Sequence, residues 1–157
     1  MKIVFMTVGP TEGGWISDAL RQYSARIPHY VPFEIKELPA VRKTSSMQPQ
    51  VIKDLEAGSI LGGTGPQDSL WLLDEKGTEM TSEGFASFLS KRMNSGARNL
   101  IFVCGGAFGF AEKVYRRADG MISLSRMTFT HQMVRPFFAE QLYRALTILK
   151  GEHYHNP

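Results

Sequence analysis

Residues 99–109, NLIFVCGGAFG, narrow the choice of fold more than any other stretch of the chain. Leu100 to Cys104 form an unbroken apolar run, which predicts a strand covered on both faces and hence a sheet with helices on either side. The run stops at Gly105 and Gly106, with Gly109 close behind. Such a strand delivers a loop without Cβ atoms, against whose main chain a ligand can rest. Residues 152–157, EHYHNP, gather phenol and imidazole groups where chain ends ordinarily carry nothing reactive. We read the first stretch as one wall of a small-molecule site and the second as half of an active site.

The rest of the pattern alternates strand and helix. Lys2–Val8 is β-branched and aromatic and runs into Gly9 and Pro10, so it predicts a doubly buried first strand. Trp15, Ala19, Tyr23 and Ile27 recur at helical spacing over residues 11–27, until Pro28 ends the stripe. Residues 31–38 alternate apolar and charged groups as a strand with one wet face, closed by Pro39. Residues 42–50 are polar and contain Arg42 and Lys43; they read either as a solvated loop or as a basic segment that meets phosphates. Residues 51–57 predict a short helix and residues 58–67, rich in glycine, a flexible connection.

From residue 69 the pattern sharpens. Leu70 to Leu73 form a strand ending at Asp74, with Glu75, Lys76 and Gly77 as a turn. Thr81 or Ser82 caps a helix whose stripe is Phe85, Phe88, Leu89 and Met93. After the glycine loop come a helix over residues 111–118, a short strand over 121–124, and a last helix. That helix carries Phe137, Phe138, Leu142, Ala145, Leu146 and Leu149 on one broad face, suited to core or to a dimer contact. Glu140 and Arg144 are spaced to pair, and Pro136 sets residues 131–135 apart as a separate turn or kinked lead-in. Strands alternating with helices imply an α/β fold with a mostly parallel sheet flanked by helices.

At 157 residues, with 43% hydrophobic and 11% aromatic residues, the chain has the size and composition of one folded domain, 1–157. One cysteine allows no internal disulfide and points to a cytoplasmic setting. No apolar run is long enough to cross a bilayer, so no membrane partner is expected, and the short apolar opening reads as a strand rather than a signal. A net charge of +3 favours an anionic partner without requiring one.

Ligands of open parallel sheets sit beyond the carboxyl ends of strands. Three such ends are unusual here: Leu73-Asp74, Cys104-Gly105-Gly106, and Leu124-Ser125 onward. CGGAFG fits neither the dinucleotide fingerprint nor a P-loop, and taken alone it reads by default as a tight strand-to-helix turn. Cys104, at the end of an apolar strand, reads as a buried thiol rather than a nucleophile. His131, His153 and His155 with one cysteine match no structural zinc spacing, so no metal is expected.

LDEKG with TSEGFA, then FVCGGAFGF, then SLSRMTFTHQMVR, then EQLYRALTILKGEHYH together resemble the successive motifs of the SPOUT-class ribosomal large subunit methyltransferase H family. The resemblance runs the length of the chain, and its later motifs are specific in wording and order. It implies a SPOUT-type fold with a C-terminal trefoil knot, S-adenosylmethionine as cofactor, a homodimer, and methylation of N3 of a pseudouridine in 23S rRNA. Carried onto this sequence, Leu73, Gly105, Gly106, Leu124, Ser125, Arg126, Met127, Thr128, Phe129 and Thr130 would bind the cofactor. The chemistry is compatible, since adenine needs an apolar slot with main-chain partners, and glycine permits close approach.

Methyl transfer needs the sulfonium carbon in line with the attacking nitrogen, and an imide N3 must lose its proton. His131, Arg135, Tyr154 and His155 are the candidates to supply a base or a field of positive charge. His131 and Arg135, four apart, can face one way from a helical turn, or equally serve as a capping histidine and a surface arginine. Many family members end in Tyr-His-Arg or Tyr-His-Lys; here Asn156 takes the basic position, which removes one cationic contact while keeping hydrogen-bond donors. With so modest a charge, the target is expected to be rRNA within the ribosome, recognised by shape, rather than naked RNA. Two other classes stay open on the residues alone. One is a ribosome-binding protein that keeps the pocket without turnover, and the other a small-molecule enzyme that would lose activity on Cys104→Ser.

Overall fold

A computed structural model describes residues 1–157. Its strands are β1 (Lys2–Val8), β2 (Phe33–Leu38), β3 (Ser69–Glu79), β4 (Asn99–Cys104) and β5 (Gly120–Ser123), in spatial order β2-β1-β4-β3-β5. Every pairing between them is parallel, so all carboxyl ends emerge on one edge. The helices are α1 (Gly14–Ser24), α2 (Pro49–Gly62), α3 (Ser82–Met93), α4 (Glu112–Arg117) and α5 (Val134–Leu149).

Alternation along the central strands sorts their side chains into two cores. Ile3, Phe5, Leu100 and Phe102 face α1, α3 and α5, where Leu20, Leu89, Phe138 and Leu142 cover them. Val4, Met6, Ile101 and Val103 face α2 and α4, where Ala57, Ile60 and Val114 cover them. On the first face Phe138 closes an aromatic cluster, its ring centroid 4.7 Å from that of Phe5 and 5.0 Å from that of Phe102.

Several elements differ from the reading of the sequence. In α1 the buried residues are Ile16 and Leu20, and Trp15 is 64% exposed. The helix starts only at Gly14, which turns Trp15 outward. The helix expected to end at Ala57 continues through Gly58 to Gly62, because Ala57 and Ile60 bury together on the sheet and outweigh the low helix propensity of glycine. Glu75 to Gly77 form no turn. They belong to β3, which breaks register between Leu73 and Thr78 and then pairs with β5 again at Thr78 and Glu79. Gly77 is needed there, since a Cβ would lie 2.7 Å from the main chain of Ile122. Pro136 is the third residue of α5, inside the first turn, where its missing N–H costs little. The Thr81 cap is present, its hydroxyl accepting from the Gly84 N–H at 3.0 Å. The apolar face of α5 is core rather than dimer contact: Phe138, Leu142, Ala145 and Leu146 are buried, and only Phe137 and Leu149 stay exposed.

Candidate active site

The three unusual strand ends meet. Beyond β3, β4 and β5 the segments around Leu73, Cys104 and Leu124 enclose a cleft of about 670 Å³, within the size range of pockets that bury small ligands. Leu73, Ile122, Leu124, Met127, Phe129 and Val134 make much of it apolar. Of the residues expected to bind a cofactor, Leu73, Gly105, Gly106, Leu124, Ser125, Met127, Thr128, Phe129 and Thr130 all line it. Arg126 does not; its side chain is 88% exposed and its Nε donates to Glu79 Oε1 at 2.7 Å.

Polar groups fix the shape of the cleft. Tyr115 donates to Asp74 Oδ2 at 2.6 Å, and the Lys76 N–H donates to the other carboxylate oxygen at 2.9 Å. Burial and the Asp74 charge hold the Tyr115 phenol well above its ordinary value, so it stays a donor. Thr128 Oγ1 donates to Glu75, which ties the loop after β5 to the irregular part of β3. Asp74 was marked from the sequence only as part of an unusual strand end, and Glu75 and Tyr115 were not singled out as site residues.

His131 also lines the cleft. Burial, then the neighbouring charges of Arg135 and Lys43, push its imidazole below the ordinary range, so it is neutral at pH 7. Arg135 plays a different part from the one expected of it. It is fully buried and lines neither the cleft nor the small pocket beside it, because its guanidinium donates to the carbonyls of Val8 at 2.9 Å and Gly9 at 3.0 Å, and its Nε to that of His131 at 3.2 Å. A fourth bond reaches Thr11 Oγ1 at 3.0 Å. Arg135 thus fastens the end of β1 to the start of α5 and pins the His131 main chain. Burial pushes the Cys104 thiol up to about 11, and its Sγ donates to the His131 carbonyl at 3.3 Å, which suits a structural role.

Tyr154 and His155 do not line the cleft of their own chain. The tail folds back along α5 instead. Tyr154 Oη donates to Glu140 Oε1 at 3.0 Å, with the Arg144 guanidinium 4.8 Å from the Tyr154 ring centroid. Arg144 is also the ion-pair partner of Glu140. Arg144 donates to His155 Nδ1 at 3.2 Å, so a neutral His155 carries its proton on Nε2 and donates to Glu83 at 3.0 Å.

A second pocket, of about 100 Å³, adjoins the cleft over the end of β1 and shares Gly106, Ala107 and His131 with it. Glu56 and Lys43 line it. Sequence reading passed over Glu56, yet Ile52, Glu56 and Ile60 recur at steps of four, which puts a carboxylate on the buried stripe of α2. No three His, Cys, Asp or Glu side chains are grouped to hold a metal ion, and no helix is long and apolar enough to cross a membrane.

Known proteins carry the same pattern. The chain is 49% identical to the ribosomal RNA large subunit methyltransferase H of Cytophaga hutchinsonii over 156 residues, 99% of this chain and 100% of that protein. It is 47% identical to the protein of the same name from Christiangramia forsetii, covering 99% of each chain. The solved structure of a probable methyltransferase from Bordetella pertussis Tohama I superposes with a TM-score of 0.56 at 14% identity, over 92% of this chain and 95% of that one, a likeness of fold. The family model described as predicted SPOUT methyltransferase matches residues 1–155. On full-length similarity and a parallel sheet whose strand ends enclose a cleft, the chain belongs to the SPOUT methyltransferase family, among the ribosomal RNA large subunit methyltransferase H proteins.

Proposed function

We propose that this protein uses S-adenosylmethionine to methylate N3 of a pseudouridine in 23S rRNA, acting in the cytoplasm on the assembled ribosome as a homodimer of single-domain chains. The observation that carries the reading is the 670 Å³ cleft at the carboxyl edge of the sheet. Its apolar walls suit an adenine ring, and the carboxylates of Asp74 and Glu75 suit a ligand that carries ammonium and sulfonium charge. The glycine loop lets such a ligand lie against the main chain. The trefoil knot implied by the family likeness is part of the same proposal.

When bound, S-adenosylmethionine supplies an electrophilic methyl group. The residues of the chain do the rest by positioning. Leu73, Leu124, Met127 and Phe129 hold the apolar part of the donor and exclude water, while Gly105 and Gly106 pass main-chain groups along it. Neutral His131, its main chain held by Arg135, offers a hydrogen bond to the acceptor base. Tyr154 and His155 reach the cleft of a second copy, whose tail reciprocates across a two-fold axis. Their support is the docking of each tail outside its own cleft.

A net charge of +3 is too small for tight, salt-resistant hold on bare RNA. The test is a radiolabelled methyl transfer assay on unmodified ribosomes and on the same rRNA stripped of protein, alongside calorimetry with S-adenosylmethionine. Micromolar donor binding and transfer to ribosomes alone is the expected result. Equal rates on the two substrates overturn the ribosome requirement, and donor binding without transfer to either leaves a ribosome-binding protein.

A further inference from the structure

The small pocket beside the cleft has a floor that methyl-donor binding leaves unexplained. Glu56 is 5% exposed and takes part in no ion pair of the molecule. A carboxylate placed there costs folding free energy that a neutral side chain would not. It also crowds the donor loop, since a Cβ on Gly106 would lie 2.5 Å from one carboxylate oxygen and 2.7 Å from the other. The same main-chain turn therefore faces the donor cleft on one side and the Glu56 carboxylate on the other.

We propose that the 100 Å³ pocket takes the flipped-out, uracil-like base and that Glu56 takes its imide proton, an inference that rests on the methyl-transfer reading above. The volume equals roughly three waters' share of liquid, which suits one planar ring and excludes a whole nucleotide. N3 gives its proton to the Glu56 carboxylate and uses the freed electron pair to form the N–C bond to the methyl carbon. The C–S bond of the donor breaks with its pair left on sulfur, and the proton later leaves Glu56 for solvent.

The groups around this carboxylate set its basicity. Glu12 faces the pocket from the segment after β1, Lys43 from the segment after β2, and His131 from the turn before α5, with Arg135 buried behind. Burial raises the Glu56 carboxyl, against the smaller lowering effects of the Lys43 charge and the Gly106 N–H. It is thereby a stronger base than a solvated glutamate, whereas burial and two cations weaken His131 as one. Lys43, whose ammonium also lies 5.6 Å from the Phe108 ring centroid, is placed to favour a deprotonated ring.

The test is Glu56→Gln, which keeps the shape and can still accept from Gly106. Single-turnover transfer to ribosomes is followed across pH, with donor affinity by calorimetry and folding by circular dichroism. Wild type is expected to reach a plateau once Glu56 is ionised. The variant should bind the donor within about twofold of wild type, transfer roughly 100-fold more slowly, and show a rate that keeps climbing with pH as hydroxide replaces the missing base. Transfer within threefold of wild type with the same pH profile overturns the proposal, as does a loss of donor binding that matches the loss of rate. Should Glu56→Gln fail to fold, Glu56→Asp decides: a slower rate that still reaches a plateau supports the proton acceptor, and an unchanged rate overturns it. A wild type that neither binds the donor nor methylates ribosomes instead removes the underlying methyl-transfer reading.

Discussion

Arg135 heads the fully buried side chains by volume, and all of its bonds go to groups at the end of β1 and the start of α5. Arg135→Met keeps the volume and strips the Val8 and Gly9 carbonyls of their donors. The expected loss is about 3 kcal/mol, which for a domain of this size lowers the melting temperature by roughly 6–12 °C. An unchanged melting curve would show that water takes over those bonds. The sequence offered His131 and Arg135 as an equal choice between a reactive pair and a structural one. It could not separate them, because both readings use the same helical spacing and differ only in whether β1 ends within reach. Glu56 was hidden for the converse reason: its position on the α2 stripe is plain once the helix is known to reach Gly62. Two glycines had made that helix look too short.

At the scale of elements, the irregular half of β3 is the part on which the cleft most depends. Within the register break Glu75 accepts from Thr128, and beyond it, where the strand pairs with β5 again, Glu79 accepts from Arg126, so one strand extension holds the loop that walls the cleft. Gly77→Ala should lower both stability and donor affinity, because its new methyl group meets the Ile122 main chain at 2.7 Å, where nothing flexible can yield. Thermal melts together with donor calorimetry check this; a variant that binds normally would show that β5 can shift without disturbing its loop. β1 and β4 were legible from apolar runs alone, as central parallel strands should be. The β3 extension was not, since Glu75-Lys76-Gly77 has the composition of a turn and only pairing with β5, distant in sequence, draws it into the sheet. The α1 stripe slipped by one residue for a similar reason. Trp15 is large enough to look like core but lies in the first turn, beyond the reach of the sheet.

For the whole molecule, a sheet with every strand parallel puts the donor cleft, the small pocket and the loops that divide them on a single edge. The positions of the cleft loops were readable from where apolar runs stop. The place of the tail was not, because Tyr154 and His155 find Glu140, Arg144 and Glu83 only after α3 and α5 have packed side by side. Removing residues 152–157 should leave donor binding intact and cut methyl transfer by roughly 100-fold or more. A truncated chain that still transfers would end the role assigned to the tail. A tail that lends its phenol and imidazole to a neighbour makes turnover depend on how crowded the solution is. By mass action, the rate per mole of chain should fall as the sample is diluted, and tail-less copies, inactive by themselves, should regain turnover when mixed with full-length ones, whose tails complete the truncated partners' clefts.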